Sequence, residues 1–215
     1  MSGWILASAL WKTAFGPSAK KRYPTPLTTH QQWMVSLDAI LAERTWGHSH
    51  ATLYPLKRIN PTNCQVSLKG SWDVTSPEAL HSTLHWLATE GHRVQMASAL
   101  GRPPLAWDYG RYVTVVRRGF GAGYLDEPGA WQLLVQAAAP VAQTYGSWQS
   151  FAEDFLAGRQ LWMRSAGREW TGLQDDTVQA VSRLLDPTNP ASPWRQVPWQ
   201  AIYQPDQVPT QAPVR

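Results

Sequence analysis

Apolar residues recur along this chain every three or four positions, which is the period of an amphipathic α-helix. The spacing predicts seven helices, at about 4–15, 31–43, 76–91, 105–118, 128–143, 147–164 and 173–185. Alternation with a period of two, which would indicate strands, is almost absent. We therefore expect an all-α fold, a compact bundle of about six to seven helices around a tryptophan-rich core.

Local signals mark where several of these helices begin and end. Ser76 is followed by Pro77 and Glu78, the usual order of an N-cap, a first-turn proline and a first-turn acid. Pro17 ends the opening helix and Pro187 ends the last one, because proline lacks the amide that a helix interior uses. The helix boundaries are thus predicted by mechanism as well as by period.

Two segments between the predicted helices lack a helical pattern. Residues 16–27 form a basic linker with several prolines. Residues 46–69 are predicted to be a long irregular loop, in which Gln65 to Leu68 are a candidate short strand.

The end of the chain has a different composition. Residues 187–215 contain seven prolines, which predicts an extended or partly disordered tail. Trp194 and Trp199 favour packing of that tail against the body as far as about residue 200. We expect one helical domain at 1–186, followed by the tail.

The chain has a formal net charge of +4 and a pI near 9.4, which suggests an acidic partner such as nucleic acid. Four of the basic residues stand near the amino terminus with no acid among them, namely Lys12, Lys20, Lys21 and Arg22. Residues 23–186 contain 13 basic and 14 acidic residues, a net charge of −1. Nucleic acid is therefore not an expected partner of the helical body, and only the N-terminal arm carries the charge for a weak contact.

Other bulk properties bear on the compartment. Cys64 is the single cysteine, so no internal disulfide is available, as is usual in a reducing compartment. The first apolar run precedes Lys12, which reverses the order found in a secretory signal. No segment has the roughly 18 apolar residues of a membrane helix. We expect a cytoplasmic protein without a membrane partner, and secretion by a signal-independent system stays open.

Charged residues occupy inward positions on three of the predicted helices. Arg159 falls in the middle of the apolar stripe of the sixth helix if that helix continues through Gly158. Asp108 lies on the edge of the stripe of the fourth helix, with Arg111 on the same side, and Glu90 flanks the leucine face of the third. A buried guanidinium is tolerated when a carboxylate pairs with it. The four side chains are expected to form one partly buried cluster.

This expected cluster has three interpretations. It is a structural ion-pair network that fixes helix register, or a pocket that binds an anion and moves a proton, or Gly158 breaks the helix and leaves Arg159 solvated. Its expected walls are Trp107, Trp131 and Trp148. In the pocket interpretation the anion holders are Arg111 and Arg159, and the candidates for proton transfer are His92, Asp108 and Glu90.

Three other motifs are interpreted as structural. His81 and His85 have the spacing of metal ligands, but Ser82 stands where an H-E-x-x-H site needs its acid. The glycines of segment 119–123 follow a helix rather than a strand, so a helix C-cap explains them better than a phosphate loop. Cys64 has no catalytic motif around it. We predict no metal site and no cofactor.

Three segments in order carry recognisable motifs, namely SWDVTSPEALHSTLHWLATEGHR, AWDYGRYVTVVRRGFGAGYLDEPGAW and YGSWQSFAEDFLAGRQLW. They resemble the bacterial family catalogued as domain of unknown function 1266. The similarity covers roughly residues 70–165, and residues 4–15 resemble the opening helix of that family. The matching positions are Trp72, Leu84, Leu87, Glu90, Gly91, His92, Arg93, Trp107, Asp108, Arg111, Gly119, Gly123, Tyr124, Trp131, Trp148, Gly158, Arg159 and Trp162. The resemblance implies a bacterial helical protein and brings no established activity.

Two hypotheses on function follow. The first is a protein-interaction or accessory module with a structural polar cluster, based on 13 tryptophans, on Trp107 opposite the apolar stripe of its helix, and on the tail. The second is an enzymatic domain of the effector or toxin type, with His92 or Asp108 as acid–base and two arginines as anion holders. The expected partner is a protein.

Overall fold

The computed structural model describes residues 27–46, 60–172 and 175–208. The predicted helix at 4–15, the basic residues of the N-terminal arm and residues 47–59 of the predicted loop lie outside the described residues.

The described residues form α-helices, one 3₁₀-helix and no strand. In chain order the elements are α1 (Thr29–Ser36), α2 (Ala39–Trp46), α3 (Pro61–Trp72), α4 (Pro77–Thr89), α5 (Arg93–Leu100), α6 (Leu105–Ala122), α7 (Glu127–Thr144), α8 (Trp148–Ser165), α9 (Asp176–Leu185), α10 (Pro193–Gln196) and the 3₁₀-helix Trp199–Tyr203. The all-α fold class is confirmed. No helix in the described part of the chain combines the length and the apolar content needed to cross a membrane.

The predicted capping signals operate as expected. The Ser76 hydroxyl accepts a hydrogen bond from the Ala79 amide at 3.2 Å and begins α4. Gly123 ends α6 with φ of +81°, so the glycine-rich segment is a helix C-cap and turn. Helix α8 continues through Gly158 without a break, which excludes the interpretation in which Arg159 is solvated.

Helix α6 is the centre of the fold. Fifteen of its 18 residues are buried, because α3, α4, α7 and α8 pack around it. Trp107 lies opposite the apolar stripe of α6 and packs against α8. Its ring centroid is 5.1 Å from that of Phe155 and 5.8 Å from that of Trp162. A Cβ on Gly158 would lie 2.5 Å from the Trp107 Cβ, so the glycine permits this close approach.

The expectation of a loop at 46–69 is wrong in its described part. Residues 61–72 form α3, with Asn60 as N-cap, and the candidate strand at Gln65 to Leu68 is helical. The pattern was hidden because Leu68 is the only residue of this helix that is fully buried. A helix with one anchor residue has no apolar period to detect.

The helices of the structure differ from the predicted set at two further places. The predicted helix at 31–43 is divided into α1 and α2 by Leu37 and Asp38, where the Asp38 carboxylate accepts hydrogen bonds from Thr114 and Arg117 of α6. Helix α5 was not predicted, because its buried side chains are Arg93 and Met96 rather than an apolar stripe.

The proline-rich tail packs across the body as far as Tyr203, in line with the packing to about residue 200 that its two tryptophans favour. Its two tryptophans surround Trp148, with ring centroids 5.2 Å away for Trp194 and 4.8 Å away for Trp199. The Trp148 indole donates to the Val197 carbonyl at 2.9 Å. Trp194, Val197, Trp199 and Ala201 of the tail are therefore part of the packed core.

Candidate functional site

Asp108 is the fully buried centre of a network where α4, α5 and α6 meet. Its carboxylate accepts hydrogen bonds from the backbone amides of His92 at 3.2 Å and Arg93 at 3.0 Å. It also accepts from the guanidinium groups of Arg93, at 3.1 Å, and Arg111. Two cations and two amides compensate the charge of this carboxylate in place, as a buried ion requires.

Arg93 is the member of this network that the sequence reasoning missed. Its guanidinium donates to the carbonyl oxygens of Leu87 at 2.5 Å and Ala88 at 2.6 Å, and so caps the end of α4. The turn before it depends on Gly91, which has φ of +61° and on which a Cβ would lie 1.9 Å from Asp108 Oδ2. A glycine followed closely by a basic residue at a helix end was the available signal.

The Arg111 guanidinium lies over two tryptophan rings. Its Cζ atom lies 4.3 Å from the ring centroid of Trp107 and 5.4 Å from that of Trp72. Its Nε atom donates to the Trp107 carbonyl at 3.0 Å. Burial lowers the pKa of Arg111 to about 10, which leaves the group charged at neutral pH.

His92 lies beside Arg111. Its Nδ1 atom accepts a hydrogen bond from Arg111 at 2.9 Å, and its ring meets the edge of Trp86 with centroids 5.0 Å apart. Burial, and then the Arg111 charge, lower the pKa of His92 below its usual value, so the imidazole is neutral at pH 7. Because Nδ1 accepts from a permanent cation, the ring proton is assigned to Nε2.

Arg159 is buried, as the sequence predicted, but it pairs with Asp175 rather than with an acid of α4 or α6. Its Nε and one terminal nitrogen donate to the two oxygens of Asp175 at 3.2 and 2.9 Å. Asp175 also caps α9 by accepting from the Thr177 amide at 2.8 Å. Burial acts to raise the pKa of Asp175, and the bonds from Arg159 and Thr177 outweigh it, so the pKa is lowered.

The structure assembles only part of the cluster expected from the sequence. Glu90 is exposed at the end of α4, because the chain turns at Gly91 and directs the following amides toward Asp108. Trp131 lies on α7, where its indole donates to Glu127 at 3.3 Å. Trp148 packs against Trp194 of the C-terminal tail. Of the expected walls, only Trp107 is in place.

Arg111, Arg159 and His92 line one cavity of about 610 Å³. We call it the arginine cavity, because five of its lining residues are arginines, namely Arg44, Arg111, Arg118, Arg159 and Arg168. Four tryptophans also line it, Trp72, Trp86, Trp107 and Trp162, and none of its described lining residues is acidic. Its volume falls within the range of about 300–1,000 Å³ that is usual for small-molecule sites.

One face of α6 forms the floor of the arginine cavity. Trp107, Arg111, Thr114 and Arg118 follow each other at i, i+4, i+7 and i+11, a stripe about 16 Å long at 1.5 Å per residue. Exposed side chains of Arg44 and Arg168 lie at the rim. This stripe is polar and aromatic, so from the sequence it was not recognised as a buried site.

Three of the five arginines have no carboxylate partner among the described residues. Arg44, Arg118 and Arg168 take part in none of the ion pairs found there. Burial lowers the pKa of Arg118, and burial and then the charge of Arg159 lower that of Arg44. The Arg168 guanidinium lies over the Trp162 ring at 5.1 Å. The cavity therefore holds an excess of positive charge.

The other predicted motifs stand apart from this cavity. His81 and His85 are exposed on α4, and Cys64 is half-buried on α3, where burial raises the pKa of its thiol. Among the described residues no three His, Cys, Asp or Glu side chains are grouped so as to hold a metal ion. A second, more polar depression lies between α4 and α7 beside His81.

Residues 95–199 match a family described as Protein of unknown function (DUF1266), and they belong to it. The match confirms the family resemblance seen in the motifs. It includes Trp107, Asp108, Arg111 and Arg159, whereas the part of the cavity formed by α2, α3 and α4 precedes it. A search of curated proteins and a search of solved structures found no match.

Proposed function

We propose that this protein is an accessory binding domain that holds a small, multiply charged anion in the arginine cavity. The observation that carries the proposal is the grouping of five arginines, with no acidic side chain, around one cavity of small-molecule size. In this proposal the Asp108 network is structural, and it positions Arg111 for the ligand.

The charges favour an anion for a physical reason. Guanidinium groups that share a cavity repel each other, and Arg44 responds to the charges of both Arg159 and Arg168. A bound anion replaces this repulsion with charge-assisted hydrogen bonds. Arg111 needs little reordering for such a bond, because its guanidinium already contacts two indole rings and donates to Asp108.

The arrangement supports binding better than catalysis. Asp108 is not exposed, and both of its oxygens are occupied by donors. The Nδ1 lone pair of His92, which would take a proton, accepts from Arg111. Glu90 does not line the cavity. No general base of the described residues therefore faces the cavity with a free lone pair.

A protein partner has less support from the structure than from the sequence. Trp107 is 3% exposed, and the tail tryptophans pack into the core of the same chain. The large apolar residues most exposed in the described part of the chain are Val66, Tyr203, Val94 and Val135, each on a different helix. Isolated exposed residues of this kind are normal on a monomer. The protein partner stays a prediction from composition.

Titration calorimetry of the full chain with inorganic pyrophosphate at low ionic strength tests the anion proposal. Arg118→Gln should weaken binding about tenfold or more, because a hydrogen bond to a charged group is worth about 1.5–3 kcal/mol. Arg164→Gln is the matched control, since Arg164 is exposed on α8 outside the cavity.

Thermal unfolding of the same variants separates a binding role from a structural one. Arg118 takes part in none of the ion pairs of the described residues. Burial lowers its pKa more than the charge of Asp38 raises it, so Arg118→Gln should leave the Tm unchanged or raise it. Absence of binding at millimolar pyrophosphate, or an equal loss in both variants, would contradict the proposal. A clear drop in Tm for Arg118→Gln alone would make that arginine structural.

A further inference from the structure

We propose that the anion held in the arginine cavity is a phosphate ester of a planar heterocycle, a ligand of the nucleotide class. This inference rests on the proposed function and adds a ring to the anion. It is carried by the division of the cavity into an aromatic side and a cationic side.

The aromatic side is continuous from α3 to α4. Trp72 contacts Arg111, Arg111 binds His92, and His92 meets the edge of Trp86. Trp72, Trp86 and His92 are half-buried and all line the cavity, so part of each ring faces it. Half-exposed indoles and a neutral imidazole at one wall offer stacking surfaces to a planar ring. Stacking of this kind does not depend on which polar substituents the ring carries.

The cationic side lies toward α2 and the end of α8. Arg44 of α2, Arg159 of α8 and Arg168 just beyond α8 all line the cavity. Asp175 neutralises Arg159 from behind through two hydrogen bonds. Arg44 and Arg168 are exposed and take part in none of the ion pairs of the described residues. Such a pair suits the two or more negative charges of a phosphate ester.

The test compares three probes on the full chain by calorimetry: adenosine diphosphate, inorganic pyrophosphate and adenosine. Adenosine diphosphate should bind about tenfold or more tightly than pyrophosphate, because stacking of one base on an aromatic side chain contributes a factor of that order. Adenosine alone should bind least, since it lacks the charge that the arginines require.

Variants identify the ring-binding wall. Trp86→Leu, and independently Trp86→Met, should abolish the advantage of adenosine diphosphate and leave the pyrophosphate affinity within about twofold. Trp131→Leu is the matched control, because Trp131 is also half-buried but lies on α7 outside the cavity. Circular dichroism verifies that each variant is folded. If one of the two Trp86 variants does not fold, the other is sufficient for the test.

The outcomes separate this inference from the proposed function. Equal affinities for adenosine diphosphate and pyrophosphate would overturn the nucleotide class and leave anion binding standing. No binding of either probe would overturn both. Tighter binding of a ten-residue thymidine oligonucleotide than of adenosine diphosphate would also overturn the inference of a small nucleotide ligand. A cavity for one small molecule gives no advantage to a longer strand.

Discussion

Single glycines set how closely the helices around α6 approach it. A Cβ on Gly110 would lie 2.8 Å from the Phe155 ring, and one on Gly158 would lie 2.5 Å from the Cβ of Trp107. The Trp107 Cβ is fixed to the backbone of α6 and cannot move aside as the end of a flexible side chain can. The position of Trp107 in the cavity floor therefore depends on the absence of a side chain at Gly158.

Gly158→Ala should destabilise the protein by about 1–3 kcal/mol, the usual cost of overpacking a core. Gly70→Ala should be neutral or stabilise α3 by up to about 1 kcal/mol, because alanine is the better helix former and nothing lies within 4 Å of a Cβ there. Urea unfolding of the two variants measures both effects. Equal stability would show that α6 and α8 are not in close contact at Gly158.

Asp108 is the second residue on which the site depends. Asp108→Asn should lower the free energy of unfolding by about 3–5 kcal/mol, because it breaks one half of two buried ion pairs and leaves the partners uncompensated. Glu90→Gln, at an exposed position, should change it by less than about 0.5 kcal/mol. A stable Asp108→Asn variant that has lost only binding would contradict the structural role.

At the scale of elements, capping chemistry was a better guide than apolar period. Ser76 and Gly123 were correctly placed at helix ends because each acts through its own backbone neighbours. Helices α3 and α5 were missed because their burial is decided by other elements. Their sequences contain one and two buried residues, respectively, and two points define no stripe.

The tail is an element of the core in spite of its composition. Trp194 donates to the Ser36 carbonyl, and Trp33 donates to the Trp199 carbonyl, each at 2.9 Å. The tail thus satisfies buried donors and covers the faces of α1 and α8. Pro193 begins α10 and Pro198 precedes the 3₁₀-helix, positions at which proline is tolerated because no helical hydrogen bond needs its amide.

Truncation after residue 186 should leave a chain without fixed tertiary packing. It removes two buried tryptophans, and loss of one such side chain alone costs about 3–5 kcal/mol, against a typical total of about 5–15 kcal/mol. Truncation after residue 208 keeps every contact described above and is the control. Near-ultraviolet circular dichroism reports the packing of the rings, and retention of its signal in the shorter chain would show that the tail is dispensable.

Over the body of the molecule, residues 23–186, charge is distributed unevenly although its total is nearly neutral. Residues 23–186 carry a net charge of −1, yet the arginine cavity gathers five of their cations without an acid among its described lining residues. The acids that balance two of these cations, Asp108 and Asp175, lie behind them, outside the lining of the cavity. The charge that a ligand meets is therefore opposite in sign to the charge of the body.

Stability and affinity should respond to pH in opposite directions below about pH 6.5, the pKa of an unperturbed histidine. The pKa of His92 is lowered in the folded protein by burial and by Arg111, so the unfolded chain takes up a proton first. Stability without ligand should fall as the pH decreases from this value until His92 is protonated in the folded state. Anion affinity should rise over the same interval, because protonation adds a cation to the cavity.

Thermal melts and calorimetric titrations from pH 7.5 to 5 measure both trends, with His92→Gln as the control. Carboxylates contribute their own slope toward the acidic end in both proteins, so the difference between the two proteins isolates His92. An identical pH dependence in wild type and variant would exclude His92 from the site.

The sequence by itself determined the features that depend on near neighbours in the chain. The all-α class, the caps, the inward direction of Arg159 and the family motifs all follow from spacing within single segments. Tertiary structure alone decided which charges meet. Arg159 pairs with Asp175 rather than with Asp108, and the polar stripe of α6 faces a cavity rather than solvent. A helix surrounded on every side has no solvent face, and only the packing of the other helices reveals that.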